Sequence, residues 1–235
     1  MDYNTPLDQN LVASQVSVTE RTTFIRKTYL HVALAVLLFI IVEAIFLSTP
    51  VIVKIGLAMT QGMTWLLVLG GFMFATTMAE RWAMGSTDKN AQYGALLLYV
   101  VAQAFIFVPL MYMAIAIVGK PEMVMQAGII TLGLFTGLSA VALLTRKDFS
   151  FLRTGLMVGG FVAIGLIVAG TIFGFHLGLW FSAAMVLLAG GSILYQTSNM
   201  IHQYRTSQYV AASLGLFGAL MMMFWYILQI FMSSE

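Results

Sequence analysis

Apolar residues in this chain run in long unbroken stretches and do not alternate with polar ones. No charged residue occurs in windows 55–79, 90–119, 123–145, 154–204 or 206–234, and 28–48 is apolar apart from His31 and Glu43. A bilayer core of ~30 Å is crossed by about 20 apolar residues in an α-helix, so each window predicts a transmembrane span. As one helix, window 154–204 would be about 75 Å long, so it must turn back on itself. The sequence Gly174-Phe175-His176-Leu177-Gly178, a polar residue bracketed by glycines, is the predicted break. Seven spans follow, at about 28–48, 63–80, 92–118, 122–144, 152–174, 179–200 and 209–231. The stretch 51–58 after Pro50 is too short to cross and reads as an extension of the first helix or an interfacial piece. Pro109 falls inside the third span, where neighbouring helices can satisfy the carbonyl it frees. A transmembrane β-barrel would need short segments of alternating polarity, which these runs lack. Small-residue pairs at Gly133/Gly137, Gly155/Gly159 and Gly215/Ala219 predict close helix packing.

Composition narrows the class. Hydrophobic residues make up 60% of the 235 residues and charged residues 9%, too few charges to cover a water-soluble globule of this size. A net charge of +2 argues against a nucleic-acid partner. The absence of cysteine excludes disulfides and thiol chemistry. Charge placement predicts orientation. Arg21, Arg26, Lys27, Arg81, Lys89, Arg146, Lys147, Arg153 and Arg205 all fall on one side of the alternating spans, leaving only Lys54 and Lys120 on the other. The positive-inside rule makes the first side cytoplasmic, with the N-terminus inside and the C-terminus outside a cell inner (plasma) membrane. Residues 1–27 are polar and read as a flexible cytoplasmic tail, followed by a seven-helix domain over 28–232.

Ionisable and polar groups within spans are costly and are the default functional candidates. Glu43 is the acid inside a span; it could bind a cation or proton, or reach the outer interface, or pair with Lys54. His31 and His176 fall near span ends. Ser192, Gln196, Asn199 and Gln203 recur at i, i+4, i+7 and i+11, which puts them on one face of the sixth span. That stripe should face the bundle interior, as a hydrogen-bond network or a solvated cation path. Nucleophile, zinc-protease and phosphate-loop motifs are all missing, so the sequence points to no enzyme, cofactor or metal ligand set.

Two segments carry a family resemblance. The loop Leu144-Thr145-Arg146-Lys147-Asp148-Phe149-Ser150-Phe151-Leu152 and the span end Ile193-Leu194-Tyr195-Gln196-Thr197-Ser198-Asn199-Met200-Ile201-His202, with Tyr209 beyond, resemble the transmembrane Bax inhibitor motif family. The run Thr197–His202 is most similar to its bacterial branch, which modulates the FtsH membrane protease. The resemblance implies an all-α polytopic membrane protein with six helices packed around a central C-terminal seventh. It implies either a regulator whose partner is an FtsH-like protease, or a calcium or other cation leak. Leak members carry paired aspartates in spans six and seven; the matching positions here are Gln196 and Ala219. Neither can titrate, so the resemblance implies that any pH gate is lost or altered.

Overall fold

The computed structural model describes residues 11–86, 88–145 and 147–233. Arg146 of the loop motif lies outside the described residues. Seven helices are long and apolar enough to cross a membrane, and among the described residues the only extended pairing is an isolated antiparallel bridge between Val12 and Arg205.

The first helix, α1 (Val18–Leu47), begins ten residues before the predicted span. The cause is a capping box: the Ser17 hydroxyl accepts the Glu20 N–H at 3.3 Å, and the Glu20 carboxylate accepts the Ser17 N–H at 3.3 Å. The helix therefore extends through Arg21, Arg26 and Lys27, residues expected in a tail. Its buried stripe is Phe24, Thr28, His31, Val32, Ala35, Phe39 and Glu43.

The piece after Pro50 is a separate helix, α2 (Pro50–Met59), with proline at its start, where the missing N–H costs nothing. It sits against the next-but-one helix through Gly56, where a Cβ would come within 2.7 Å of Val108 Cγ1. Next come α3 (Met63–Gly85) and α4 (Lys89–Tyr112). α4 is capped by the Asp88 carboxylate, which accepts the Asn90 N–H at 3.1 Å. One turn after Pro109, α4 widens into a π-helical turn over Met113–Ile117, closed by the Val118 N–H donating to the Met113 carbonyl at 2.8 Å.

The remaining helices are α5 (Pro121–Thr145), α6 (Leu152–Phe173), α7 (Gly178–His202) and α8 (Tyr209–Ser233). The predicted fold-back between α6 and α7 is present. Gly174 and Gly178 hold φ of 75° and 66°, left-handed values that glycine alone adopts without strain.

The last helix is the hub. Along α8, Val210, Leu214, Leu216, Phe217, Met221, Met223 and Leu228 are buried, covering its circumference as expected of a helix surrounded by others. α8 packs against α1, α3, α4, α5 and α7. The sixth, α6, packs chiefly on α7 and α3, and its Ile167 lines a cavity together with Trp225 and Tyr226 of α8. The glycine pairs divide in the same way. Gly159 meets Leu188 of α7, but Gly133, Gly137 and Gly155 face open space. The expected close packing at Gly133/Gly137 is therefore absent among the described residues, because that face of α5 points away from the bundle.

One end of the bundle holds the basic residues and is laced together. Ala13, fully buried, donates its N–H to the Tyr204 carbonyl at 3.1 Å, fixing the segment before α1 to the α7–α8 connection. His31 lies 2.9 Å from the Tyr93 hydroxyl and stacks on the Tyr93 ring, with the Tyr209 ring tilted against it at 55°. Lys89 donates to the Ser207 carbonyl at 2.7 Å and sits 4.1 Å from the Tyr209 ring centre.

Candidate functional site

Between α3, α4, α6, α7 and α8 lies a cavity of about 370 Å³. Its polar lining comes from Ser192 and Gln196 of α7, Tyr99 and Gln103 of α4, and Glu80 of α3. The opposite wall is the small-residue face of α8, Gly215, Gly218 and Ala219. These glycines make room for polar side chains. A Cβ at Gly215 would sit 2.9 Å from the Gln196 carboxamide atoms, and a Cβ at Gly218 would collide with the Tyr99 hydroxyl. The glycines of α8 thus admit Gln196 and Tyr99, where the sequence spacing suggested backbone-to-backbone packing.

The stripe on α7 does not act as one unit. Ser192 and Gln196 face the cavity. The Asn199 Oδ1 is buried without a hydrogen-bond partner among the described residues. Gln203 is exposed and ends the helix, its N–H donating to the Asn199 carbonyl at 2.9 Å. Ala219, the residue expected at the second aspartate position, lines the same cavity as Gln196.

Glu80 is a cavity residue that the sequence reading placed at a span end. The charge-free window stops at Ala79, which invites a helix boundary there. α3 continues to Gly85, and no glycine or proline lies between Ala79 and that residue. The acid thereby sits more than a turn inside the helix. Its field reaches the adjoining connection: burial first, then the charges of Glu80 and Tyr195, push the Tyr204 phenol up to about 12.

A wider cavity of about 670 Å³ toward the end opposite the basic residues shares Trp65, Ile167, Trp225 and Tyr226 with the first, and is also lined by His176. The aromatic residues Trp65, Trp225 and Tyr226 stand between the two.

The two segments that carried the resemblance touch. Ser198 of α7 is buried, and its hydroxyl accepts the Phe149 N–H at 2.9 Å. The same hydroxyl lies 3.5 Å from the Lys147 carbonyl and 3.5 Å from Asp148 Oδ1. Asp148 Oδ1 accepts the Ser150 N–H at 2.8 Å. That bond, with the Ser150 side chain, the His202 charge and Ser198, holds the Asp148 carboxyl below its usual range. The loop motif of Lys147 and Asp148 is therefore a latch between the α5–α6 connection and α7, outside the cavity.

Glu43 belongs to neither cluster. It is 2% exposed, and among the described residues both carboxylate oxygens lack a hydrogen-bond partner. It is shut off from the protein surface and does not bond to Lys54.

A hub helix ringed by membrane-length helices, with a part-polar cavity against its glycine face, defines a polytopic helical membrane protein with a built interior. The chain belongs to the family described as inhibitor of apoptosis-promoting Bax1, whose model matches residues 21–235. It is 32% identical over 162 residues to an uncharacterized protein of Pseudomonas aeruginosa, covering 68% of this chain and 69% of that one. It is 38% identical over 96 residues to the modulator of FtsH protease YccA of Escherichia coli, covering 39% of this chain and 42% of YccA. Protein lifeguard 4 of Mus musculus is 26% identical over 222 residues, 92% of this chain and 87% of that protein.

Proposed function

We propose that this chain is a regulatory protein of an inner membrane that modulates an FtsH-like quality-control protease, with its basic end and N-terminus in the cytoplasm. The observation that carries this reading is the 38% identity to the modulator YccA. The geometry adds a place for contact. At the basic end, the α5–α6 latch, the α7–α8 connection and the segment around Ala13 form one tied surface, facing the compartment where positive-inside orientation puts the first residues. The full chain is expected to co-purify with an FtsH-like protease from native membranes. Retention by a form lacking residues 1–10 assigns contact to the bundle, and loss in that form assigns it to the tail. Absence of association in both forms overturns the reading.

A second reading, a cation leak, is favoured by one observation, the carboxylate of Glu80 in the central cavity. Calcium takes six to eight oxygens, several of them charged, and the cavity sets Glu80 among neutral amides and hydroxyls. Where leak members pair two aspartates, Gln196 faces Ala219 across it. Reconstituted in liposomes, the chain is expected to pass little calcium, with little change between about pH 6 and about pH 8. The double variant Gln196→Asp with Ala219→Asp is expected to introduce a pH-dependent flux. Robust flux through the unaltered chain, abolished by Gln196→Ala, would reverse the order of the two readings.

A further inference from the structure

Glu43 sits at a third cavity, between α1, α5 and α8. α1 and α5 both pack on α8. Toward the basic end they meet, Tyr29 and Phe135 lying edge to face with centroids 6.1 Å apart. Further along, a cavity of about 340 Å³ opens between them, with Leu220 and Phe224 of α8 as its floor. Ile40 of α1 and Leu132 of α5 stand at its mouth; each lines the cavity, yet they are 56% and 51% exposed. The mouth therefore faces the lipid.

The lining is hydrocarbon with two exceptions, Glu43 and Thr131, each 2% exposed. Both Glu43 oxygens and the Thr131 hydroxyl are buried without a hydrogen-bond partner among the described residues. Leaving a carboxyl and a hydroxyl unpaired in hydrocarbon is unfavourable, and neither group contributes to the latch or the central cavity. The chemistry of these two groups limits what could bind beside them. A hard divalent cation needs six to eight oxygens, and this wall offers a carboxylate and one hydroxyl. An organic ammonium needs fewer. Its N–H groups donate charge-assisted bonds to the carboxylate and a further bond to the hydroxyl oxygen, and its own apolar body fills the hydrocarbon remainder. The volume suits a small ligand.

We propose that the cavity between α1, α5 and α8 binds an apolar organic amine from the bilayer, with its ammonium between Glu43 and Thr131 and its hydrocarbon body against Phe39, Leu220 and Phe224.

Gly128 supplies a second handle. It lines the same cavity, and a Cβ there would meet nothing within 4 Å. Gly128→Leu should therefore fill the space with Glu43 left in place, and replacing a helical glycine favours the helix. The test uses the full chain in phosphatidylcholine nanodiscs, with empty nanodiscs as the partitioning control. The probes are 1-adamantylamine and its neutral analogue 1-adamantanol, followed by ligand-observed NMR and thermal unfolding. The amine is expected to bind saturably, one per chain, about tenfold or more tighter than the alcohol. Glu43→Gln should erase the preference for amine. Gly128→Leu should abolish binding of both probes without lowering thermal stability. Absence of saturable binding, equal binding of amine and alcohol, or binding unaffected by Gly128→Leu overturns the proposal. Should Glu43→Gln fail to fold, Gly128→Leu and the amine-to-alcohol ratio still decide it.

Discussion

Gly218 and Tyr99 show how a single atom sets the shape of the central cavity. The Tyr99 hydroxyl occupies the place a Cβ at residue 218 would take. Gly218→Ala is therefore expected to destabilise the protein by about 1–3 kcal/mol, the usual cost of overpacking a core. Adding Tyr99→Phe removes the colliding oxygen and should recover most of that loss, a coupling that a double-mutant cycle by thermal unfolding will read. Gly215→Ala is expected to cost less, because the atoms it approaches belong to the end of the Gln196 side chain, which can rotate aside. At this scale the sequence was only partly legible. Spacing alone put Ser192 and Gln196 on an inward face, and the structure places both on the cavity. Gln203 shared their spacing but is exposed, because a helical stripe says nothing about where its helix ends. Glu80 escaped notice for a related reason. A charge at the edge of an apolar window looks like a boundary, and only the path of α3 to Gly85 shows otherwise. The isolation of Glu43 was not readable either, since pairing with Lys54 was equally open until the bundle was assembled.

Helices as elements were the most legible part of the chain. Long apolar runs cannot do much else in a bilayer, where every backbone group must be satisfied within its own segment. The fold-back at Gly174 and Gly178 followed from two residues that tolerate left-handed backbone. The start of α1 did not follow from hydropathy, because a capping box and a polar first turn carry the helix well beyond its apolar part. Helix contacts were harder to read. Small residues four apart mark a surface that permits close approach, but not whether a partner is there. Gly133 and Gly137 permit it and face open space. Gly133→Leu and Gly137→Leu are therefore each expected to leave thermal stability unchanged or to raise it by up to about 1 kcal/mol, the gain in helix propensity on replacing an unpacked glycine. A loss above about 2 kcal/mol in either, the cost of overpacking, would place a helix of another chain against this face of α5.

For the whole molecule, the hub arrangement assigns separate roles to the ends and flanks of α8. Its glycine face borders the central cavity, its opposite flank floors the lipid-facing cavity at Glu43, and the connection that precedes it joins the tied basic end. Membership of the Bax inhibitor family is established over nearly the whole chain, while likeness to the FtsH modulator covers a shorter part of it. The regulatory reading is therefore tested most directly by function in a defined membrane. An FtsH-like protease reconstituted in proteoliposomes with a membrane-protein substrate, with and without the full chain, gives the degradation rate. A saturable change of about twofold or more as the chain approaches the protease in amount, unaffected by an unrelated seven-helix protein, is the predicted result. An unchanged rate at excess chain, with both proteins shown to occupy the same vesicles, would contradict it.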